Sequence, residues 1–572
     1  MNIFPTNKDE MKTLGWERCD VIIVSGDAFV DHPSFGTAII ARVLEAEGYR
    51  VGILDQPDWR SDQDIRRLGE PRFCFAVTAG NIDSMVAHYT VNRKKRSDDA
   101  YTAGGKAGKR PNRAAIVYSN LIRSVYKETP IILGGVESSL RRMAHYDYWN
   151  DKVRRSILLD SKADLLIYGM GESPVKEVLK RLKSGINIRE IYDVPGTVCR
   201  SAEIPPDSIE LPSFELVSKD KMAFNTMTRL HYENRVYPYA KTLYQRHGEQ
   251  IVRINPPAKP LNTAEMDALY ALPFTREPHP KYRERIPAWE QINDSITAHR
   301  GCFGNCSFCA ITFHQGPRIQ SRSKASVLKE VRELSKKPWF RGTVSDIGGP
   351  TANMYGIHCR IGGCKEMNCL FPEICPHLVV EDQERYTELL KAAAAVPGVN
   401  HVFIASGLRH DLALADLRAM EKMVTRFTGG HLKIAPEHLN EDVTRIMNKP
   451  PDTLYFRFLE KFLQFSRKAG KEQYIVPYFI SGHPGCTDAM MLDLQRQLKQ
   501  SGHKLQQAAD FYPTPMTIST AMFYTGYHPL TNEKLDVPKS EKAKRRQFGM
   551  MMWHRPGKSA SSVKQVIPAN EF

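Results

Sequence analysis

The chain has 572 residues, too many for one hydrophobic core, and with 42% hydrophobic residues it can build large buried ones. No run approaches the length of a membrane span, and Met-Asn-Ile-Phe-Pro-Thr-Asn-Lys-Asp-Glu at the start is not a secretory leader, so a membrane is excluded and a reducing cytoplasm expected. The formal charge of +16 raises RNA as a partner; most of it lies in Asn92–Arg113, with eight Lys/Arg against two acidic residues, and Thr531–Phe572, with nine against four.

In chain order, Asp20-Val-Ile-Ile-Val-Ser25 is a short apolar run bounded by Gly26, and Phe35 to Gly48 has helical spacing and a glycine stop. Val51-Gly-Ile-Leu54, Cys74-Phe-Ala-Val-Thr78, Ile131-Ile-Leu133 and Leu165-Leu-Ile-Tyr168 continue the strand series. Strands alternating with helical stretches predict a doubly wound parallel sheet over residues 1–200. Its ligand crevice would lie at the strand ends, near Asp27 to His32, Ala79 to Asn81, Gly134 to Glu137 and Gly169 to Glu172. The basic stretch from Asn92 to Arg113 reads as a flexible loop that could meet RNA, although with Tyr101 its single aromatic it lacks the interleaving that marks a stacking platform. Residues 201–290 are punctuated by proline, at Pro205-Pro206, Pro212, Pro256-Pro257, Pro260, Pro273, Pro278 and Pro280, and read as a connecting region with a helical pattern from Leu216 to Gly248.

Over residues 291–530 the alternation of strand and helix resumes. Strands are expected at Ser295–Ala298, Gly342–Gly348, His401–Ala405, His431–Ala435, Tyr474–Ser481 and Ala509–Tyr512. Units of this size build a barrel or part of one, with chemistry at the strand C-termini. Between the first strand and its helix stands Cys302-Phe-Gly-Asn-Cys306-Ser-Phe-Cys309, three thiols in a C-x3-C-x2-C spacing. Seven of the eleven cysteines lie from Cys302 to Cys375, and in a reducing compartment they argue for metal rather than disulfides. Thiolates at this density suit iron–sulfur clusters or zinc, and zinc wants a fourth ligand that this loop lacks. After the second strand come Cys359, Cys364, Cys369 and Cys375, wider-spaced than a zinc knuckle and ending in Cys-Pro. This group admits an auxiliary iron–sulfur cluster, a structural zinc or no metal. Later strand ends carry Ser406 and Arg409, Lys433 with Glu437 and His438, and Ser481 with His483. If Lys433 is buried in its apolar strand it needs a partner, for which Glu437 would serve; the other reading is a lysine facing solvent on a strand edge. The tail, 531–572, is basic and reads as flexible.

The spacing of Cys302, Cys306 and Cys309, with an aromatic residue before the third, resembles the signature of the radical SAM superfamily. The resemblance implies a six-unit partial (β/α)6 barrel and a [4Fe–4S] cluster on these three thiols, its open iron chelated by S-adenosylmethionine (SAM). Gly348-Gly349-Pro350 resembles the superfamily's second-strand motif, with proline in the usual acidic place, and Lys433 and Glu437 are candidates for the SAM carboxylate and its surroundings. Ser25–Gly36, Gly348–Tyr355, Leu432–His438 and Gln473–Ser481 together resemble the YgiQ-type radical SAM proteins up to about Pro529. The implied activity is reductive cleavage of SAM to a 5′-deoxyadenosyl radical, fed by a flavodoxin- or ferredoxin-like one-electron donor, on a substrate the sequence does not name. The alternatives are an RNA-modifying, methylthiotransferase-like enzyme and a non-catalytic iron–sulfur or zinc protein. The N-terminal part resembles the cobalamin-binding-type domain that precedes many radical SAM domains. Cobalt-ligating histidines of that type sit in Asp-x-His-x-x-Gly, whereas here the loop reads Asp31-His32-Pro-Ser-Phe-Gly36. Cobalamin is therefore not expected, and Asp27, Asp31 and His32 are expected to cap the second domain.

Overall fold

A computed structural model describes residues 3–555 apart from 503, 506 and 507. The chain divides into two compact units, Met1–Lys259 with Leu272–Asn293, and Pro260–Ala271 with the residues from Asp294 onward. The tail is described as far as Arg555, and there the expectation of a flexible segment is corrected: a helix at Glu541–Met551 buries Lys544, Gln547, Phe548 and Met551, while residues 556–572 lie outside the described residues.

The first unit is built on one nine-stranded sheet. In chain order its strands are β1 (Val21–Ser25), β2 (Val51–Asp55), β3 (Cys74–Thr78), β4 (Ile131–Leu133), β5 (Leu165–Ile167), β6 (Thr197–Ser201), β7 (Ile209–Leu211), β8 (Leu243–His247) and β9 (Gln250–Ile254). They lie in the order β7-β8-β9-β6-β5-β4-β3-β1-β2. From β2 to β5 all pairs are parallel, the doubly wound 2-1-3-4-5 order, in which the winding of the chain reverses between β1 and β3. All five residues of β1 are buried, as befits a central strand covered on both faces, and so its sequence is apolar without alternation.

Two readings of this unit are corrected. Residues 209–254, taken as part of a connecting region, extend the sheet by β7, β8 and β9. Helices occupy Phe214–Lys219 and Lys221–Glu233, but the helical pattern then gives way to a hairpin of β8 and β9 turned by Gly248-Glu249, with Gly248 at φ +60°. The prolines there punctuate the connections of an edge extension of the sheet. The basic stretch from Asn92 to Arg113 is not a free arm either. Arg110 is fully buried between Asp99 and Asp27, Arg113 pairs with Asp147, Arg96 donates to the Val86 carbonyl, and Arg93 lies over the Tyr148 ring. Its arginines at 96, 110 and 113 are tied into the fold, while Arg93, Lys94 and Lys95 are exposed.

In the second unit six parallel segments follow one another as the barrel reading requires. They are β10 (Ser295–Thr297), the broken pair β11 (Thr343–Val344) and β12 (Asp346–Gly348), β13 (His401–Val402), β14 (His431–Glu437), β15 (Tyr474–Ser481) and β16 (Ala509–Asp510). β10 pairs with β12, β11 with β13, a bridge joins Leu408 to Ile434, and β14, β15 and β16 form one parallel ladder. Helices such as Lys324–Leu334, Glu384–Ala394 and Asp452–Lys468 separate them, and each buries one apolar stripe. On β14 the buried Leu432, Ile434 and Pro436 alternate with exposed His431 and Lys433. Chain order and strand order coincide, so all strand C-termini lie at one end of the unit.

Candidate functional site

The first cysteine loop hangs from β10. The two-residue strand His299–Arg300 pairs antiparallel with Gln320–Ser321 and closes the loop at its base. Cys302 N–H reaches the Gly316 carbonyl (3.3 Å) and Gly301 N–H the Gln315 side chain (3.0 Å). At the turn, Asn305 has φ +47° and Cys309 N–H closes back on the Cys306 carbonyl (3.1 Å). The thiols of Cys302 and Cys306 turn toward one place over Gly304. A Cβ there would stand 3.2 Å from Cys302 Sγ, 3.6 Å from Cys306 Sγ and 2.9 Å from the Arg409 guanidinium. Only glycine leaves that cradle open.

Charged side chains surround the loop in buried pairs. Arg409 forks onto Asp411, Nε to Oδ1 at 3.0 Å, and its other amino group donates to Cys306 Sγ at 3.8 Å. Burial alone would raise the Asp411 carboxyl, but the guanidinium overrides it and holds the acid at about 2. Burial pushes the Cys302 thiol up to about 11, with the Gly304 N–H, Arg409 and Lys449 pulling the other way. Lys449 in turn lies 3.7 Å from Glu437, both buried. Glu437 sits at the end of β14 with φ +67°, and its second carboxylate oxygen has no partner among the described residues. Burial raises its pKa against the pull of Lys449. The pairing expected between Lys433 and Glu437 is not made: Lys433 is exposed on β14, and Glu437 has taken Lys449.

Neutral contacts fix the rest of the loop. Ser307 N–H reaches the Met447 carbonyl (3.0 Å), and the Asn448 amide the Asn305 carbonyl (3.2 Å). His483 has Nδ1 2.8 Å from the Pro484 carbonyl, which only accepts, so Nδ1 carries the proton and Nε2 accepts from Ser519 Oγ (2.7 Å). The Ser307 hydroxyl proton is then shared between Ser519 Oγ and the Ile446 carbonyl, each at 2.8 Å. Phe308 rests edge-on against the His483 ring. Burial drives the His483 pKa down to about 3, which keeps this chain of bonds neutral.

Gly348 and Gly349 are demanded by close approach. The Gly348 carbonyl accepts from Ala298 N–H at 2.6 Å, and side chains there would clash with Ser406 Oγ and, for Gly349, stand 2.6 Å from the His299 carbonyl. Pro350 and Thr351 lead into a short turn in which Asn353 and Arg409 exchange two hydrogen bonds, 2.9 and 3.0 Å. The second-strand motif is thereby tied to the arginine at Cys306. Asp346 accepts from Ala405 N–H, Ser406 N–H and Ser406 Oγ; burial pushes its carboxyl up to about 6 against these bonds and the nearby Lys433. Asp346, Asp411, Lys449, Ser307 and Ser519 escaped the sequence reading. Arg-His-Asp at 409–411, an ion pair's spacing at a strand end, was the one signal available.

In the first unit, Asp27, Asp31 and His32 are buried rather than presented. Asp27 pairs with Arg110 (2.8 Å) and accepts from Asn81 N–H, Asp31 pairs with Arg42, and His32 Nδ1 accepts from Ser34 N–H (3.1 Å).

Residues 3–295 match the model of the radical SAM N-terminal family, 296–498 that of the radical SAM superfamily, and 506–561 a domain of unknown function, DUF3362. A UPF0313 protein of Methanocella arvoryzae is 51% identical over 569 residues, covering 98% of this chain and 95% of the relative. Another, from Geobacter sulfurreducens, is 49% identical over 563 residues, covering 97% and 93%. The chain belongs to the UPF0313 family of radical SAM proteins. Among solved structures it is similar in fold to the radical SAM methyltransferase TsrM of Kitasatospora setae with cobalamin and a [4Fe–4S] cluster bound (TM-score 0.49, 13% identity, 87% of this chain and 74% of that one). It is also similar to the cobalamin-dependent radical enzyme OxsB with aqua-cobalamin bound (0.48, 10%, 89% and 55%). The expectation that cobalamin is excluded is withdrawn, since residues 3–295 match the radical SAM N-terminal family whatever their histidine motif. That expectation rested on a missing histidine motif, which is only one way of holding cobalt.

Proposed function

We propose that the protein is a radical SAM enzyme whose Cys302, Cys306 and Cys309 hold a [4Fe–4S] cluster at the C-terminal end of the barrel strands. The observation that carries this is the cradle over Gly304, where two of the three thiols turn to one side of a loop with no room for a Cβ. The donor set is three soft thiolates on one short loop, which suits iron–sulfur and leaves a zinc ion one ligand short. Bound and reduced, such a cluster supplies one electron to the sulfonium of SAM and yields methionine and a 5′-deoxyadenosyl radical. The chain's own part is to hold, orient and shield. Gly348, Gly349 and Pro350 bring the second strand end close to the loop. Glu437, with one oxygen unsatisfied, and Lys433, exposed on β14, are the polar groups offered to the amino and carboxylate ends of SAM. The electron comes from a flavodoxin- or ferredoxin-like donor. No helix among the described residues is long and apolar enough to cross a membrane. The basic residues of 92–113 that are tied into the fold give the RNA-modifying alternative no support.

The test is anaerobic purification followed by dithionite and SAM. The protein should be brown, lose one cluster's worth of iron on replacing all three cysteines by alanine, and form 5′-deoxyadenosine. A cluster that never cleaves SAM would leave the non-catalytic iron–sulfur reading in its place, and a colourless, zinc-loaded protein would overturn both.

A further inference from the structure

The second cysteine loop lies outside this account and needs one of its own. From Tyr355 to Gln383 the chain forms no helix or strand, a span far longer than loops that lack structure of their own usually reach. Between Cys359 and His377 its fully buried apolar side chains are Met367, Leu370 and Cys369, while Ile361 is 57% exposed. That is too little hydrophobic surface to order such a segment, which calls for a cross-link of another kind.

The backbone nevertheless folds into a closed figure with the cysteines at its corners. Cys359 bridges Leu378, with Arg360 N–H on the His377 carbonyl (2.8 Å) and Val379 N–H on the His358 carbonyl (3.0 Å). Leu378 N–H turns back to the Cys375 carbonyl (2.9 Å), and Cys375 N–H to the Cys369 carbonyl (2.8 Å). Gly362, Gly363 and Met367 take positive φ where the chain doubles back on either side of Cys364. None of the four thiols is in a disulfide; Cys359, Cys364 and Cys375 are half-buried and Cys369 is buried. The loop also rests on the first one: the Asn305 side-chain amide of the Cys302–Cys309 turn donates to Asn368 Oδ1 at 2.8 Å, and Gly363 is pressed so close to the Arg318 guanidinium that a Cβ would lie 2.7 Å from it.

We propose that Cys359, Cys364, Cys369 and Cys375 are the ligands of a second metal centre, a four-thiolate site that orders this loop against the first. Among the described residues no three Cys, His, Asp or Glu side chains already stand gathered as ligands, in this loop or in the first. The metal gathers them, binding as the thiols give up their protons. Four thiolates take either zinc or an iron–sulfur cluster, and the experiment separates the two. The proposal stands whether or not the first loop carries the cluster assigned to it above.

The experiment uses the full chain with Cys302, Cys306 and Cys309 replaced by alanine, purified anaerobically. Metal and acid-labile sulfide are measured beside iodoacetamide labelling resolved by mass spectrometry. About four irons with matching sulfide would identify a cluster, and about one zinc without sulfide a tetrahedral zinc site; either supports the proposal. Adding Cys364→Ser and Cys375→Ser should abolish that metal. Labelling of the unaltered protein needs no variant to fold: the three half-buried thiols should resist alkylation until a chelator or acid releases the metal, then react at least tenfold faster. Buried Cys19 and Cys74 are internal standards for thiols shielded by packing alone. A metal-free triple variant whose Cys359, Cys364 and Cys375 alkylate at once in the native protein would overturn the second site.

Discussion

Replacing Arg409 by glutamine and Asp411 by asparagine in one chain removes a charge pair while keeping its shape and most of its hydrogen bonds. The pair points its positive end at Cys306 Sγ, 3.8 Å away, and its negative end outward. At an effective dielectric of about 20, a unit charge about 6 Å from an added electron is worth about 3 kcal/mol and an opposite one about 3 Å further takes back about 2, the scale to expect for Arg409 and Asp411. The net of about 1 kcal/mol corresponds to about a fivefold change in the ratio of reduced to oxidised cluster, about 40 mV where tenfold is 59 mV. The double variant should therefore have the lower reduction potential, since it has lost a favourable field for the incoming electron. The assay is an anaerobic redox titration followed by electron paramagnetic resonance, with iron content measured on the same samples. The single variant Arg409→Gln is the worse experiment, because stranding the buried Asp411 carboxylate costs about 3–5 kcal/mol of stability. An unchanged potential in a fully loaded double variant would refute the reasoning.

Gly304→Ala places a methyl group 2.9 Å from Arg409 and 3.2 Å from Cys302 Sγ, and should reduce iron loading at least tenfold while the far-ultraviolet circular dichroism stays unchanged. Ser519→Ala breaks the relay from His483 to Ser307, and should lower stability to urea by about 1–2 kcal/mol and speed loss of iron to a chelator. Asp346 titrates at about 6 when folded against about 4 when unfolded, so it binds its proton more tightly in the native chain. That advantage is complete below about pH 4 and is lost as pH rises to 6, so Asp346→Asn should be more stable than the parent at pH 7 by about 1–3 kcal/mol and gain little at pH 4, as thermal unfolding at the two values would show.

The barrel was legible because its strands are short apolar runs ending in glycine, and each such run could be counted. The first sheet was legible only as far as β5. Beyond it Leu243-Tyr-Gln-Arg-His and Gln250-Ile-Val-Arg-Ile are mixed in polarity, as antiparallel strands toward a sheet edge are, and the prolines on either side suggested a linker. The basic stretch from Asn92 to Arg113 read as a flexible loop because a sequence does not say that Arg110 and Arg113 will meet carboxylates. Arg110 finds Asp27 from eighty-odd residues away, a pairing only the fold creates.

The same limit explains what was and was not visible at the site. Thiols announce themselves by spacing along the chain, because one metal must be reached by one loop. The groups that tune them do not, because they converge from separate strand ends. Arg409 arrives from the turn after β13, Lys449 from the segment after β14 and Ser519 from the helix after β16. Their only common property is where the barrel puts them. This also makes the second cysteine loop the exception among the undecided features: like the first it carries its candidate thiols within one segment, so the argument for it begins in the sequence. What the fold adds is the contact between Asn305 and Asn368, which makes the two loops neighbours and predicts that emptying one will be felt at the other.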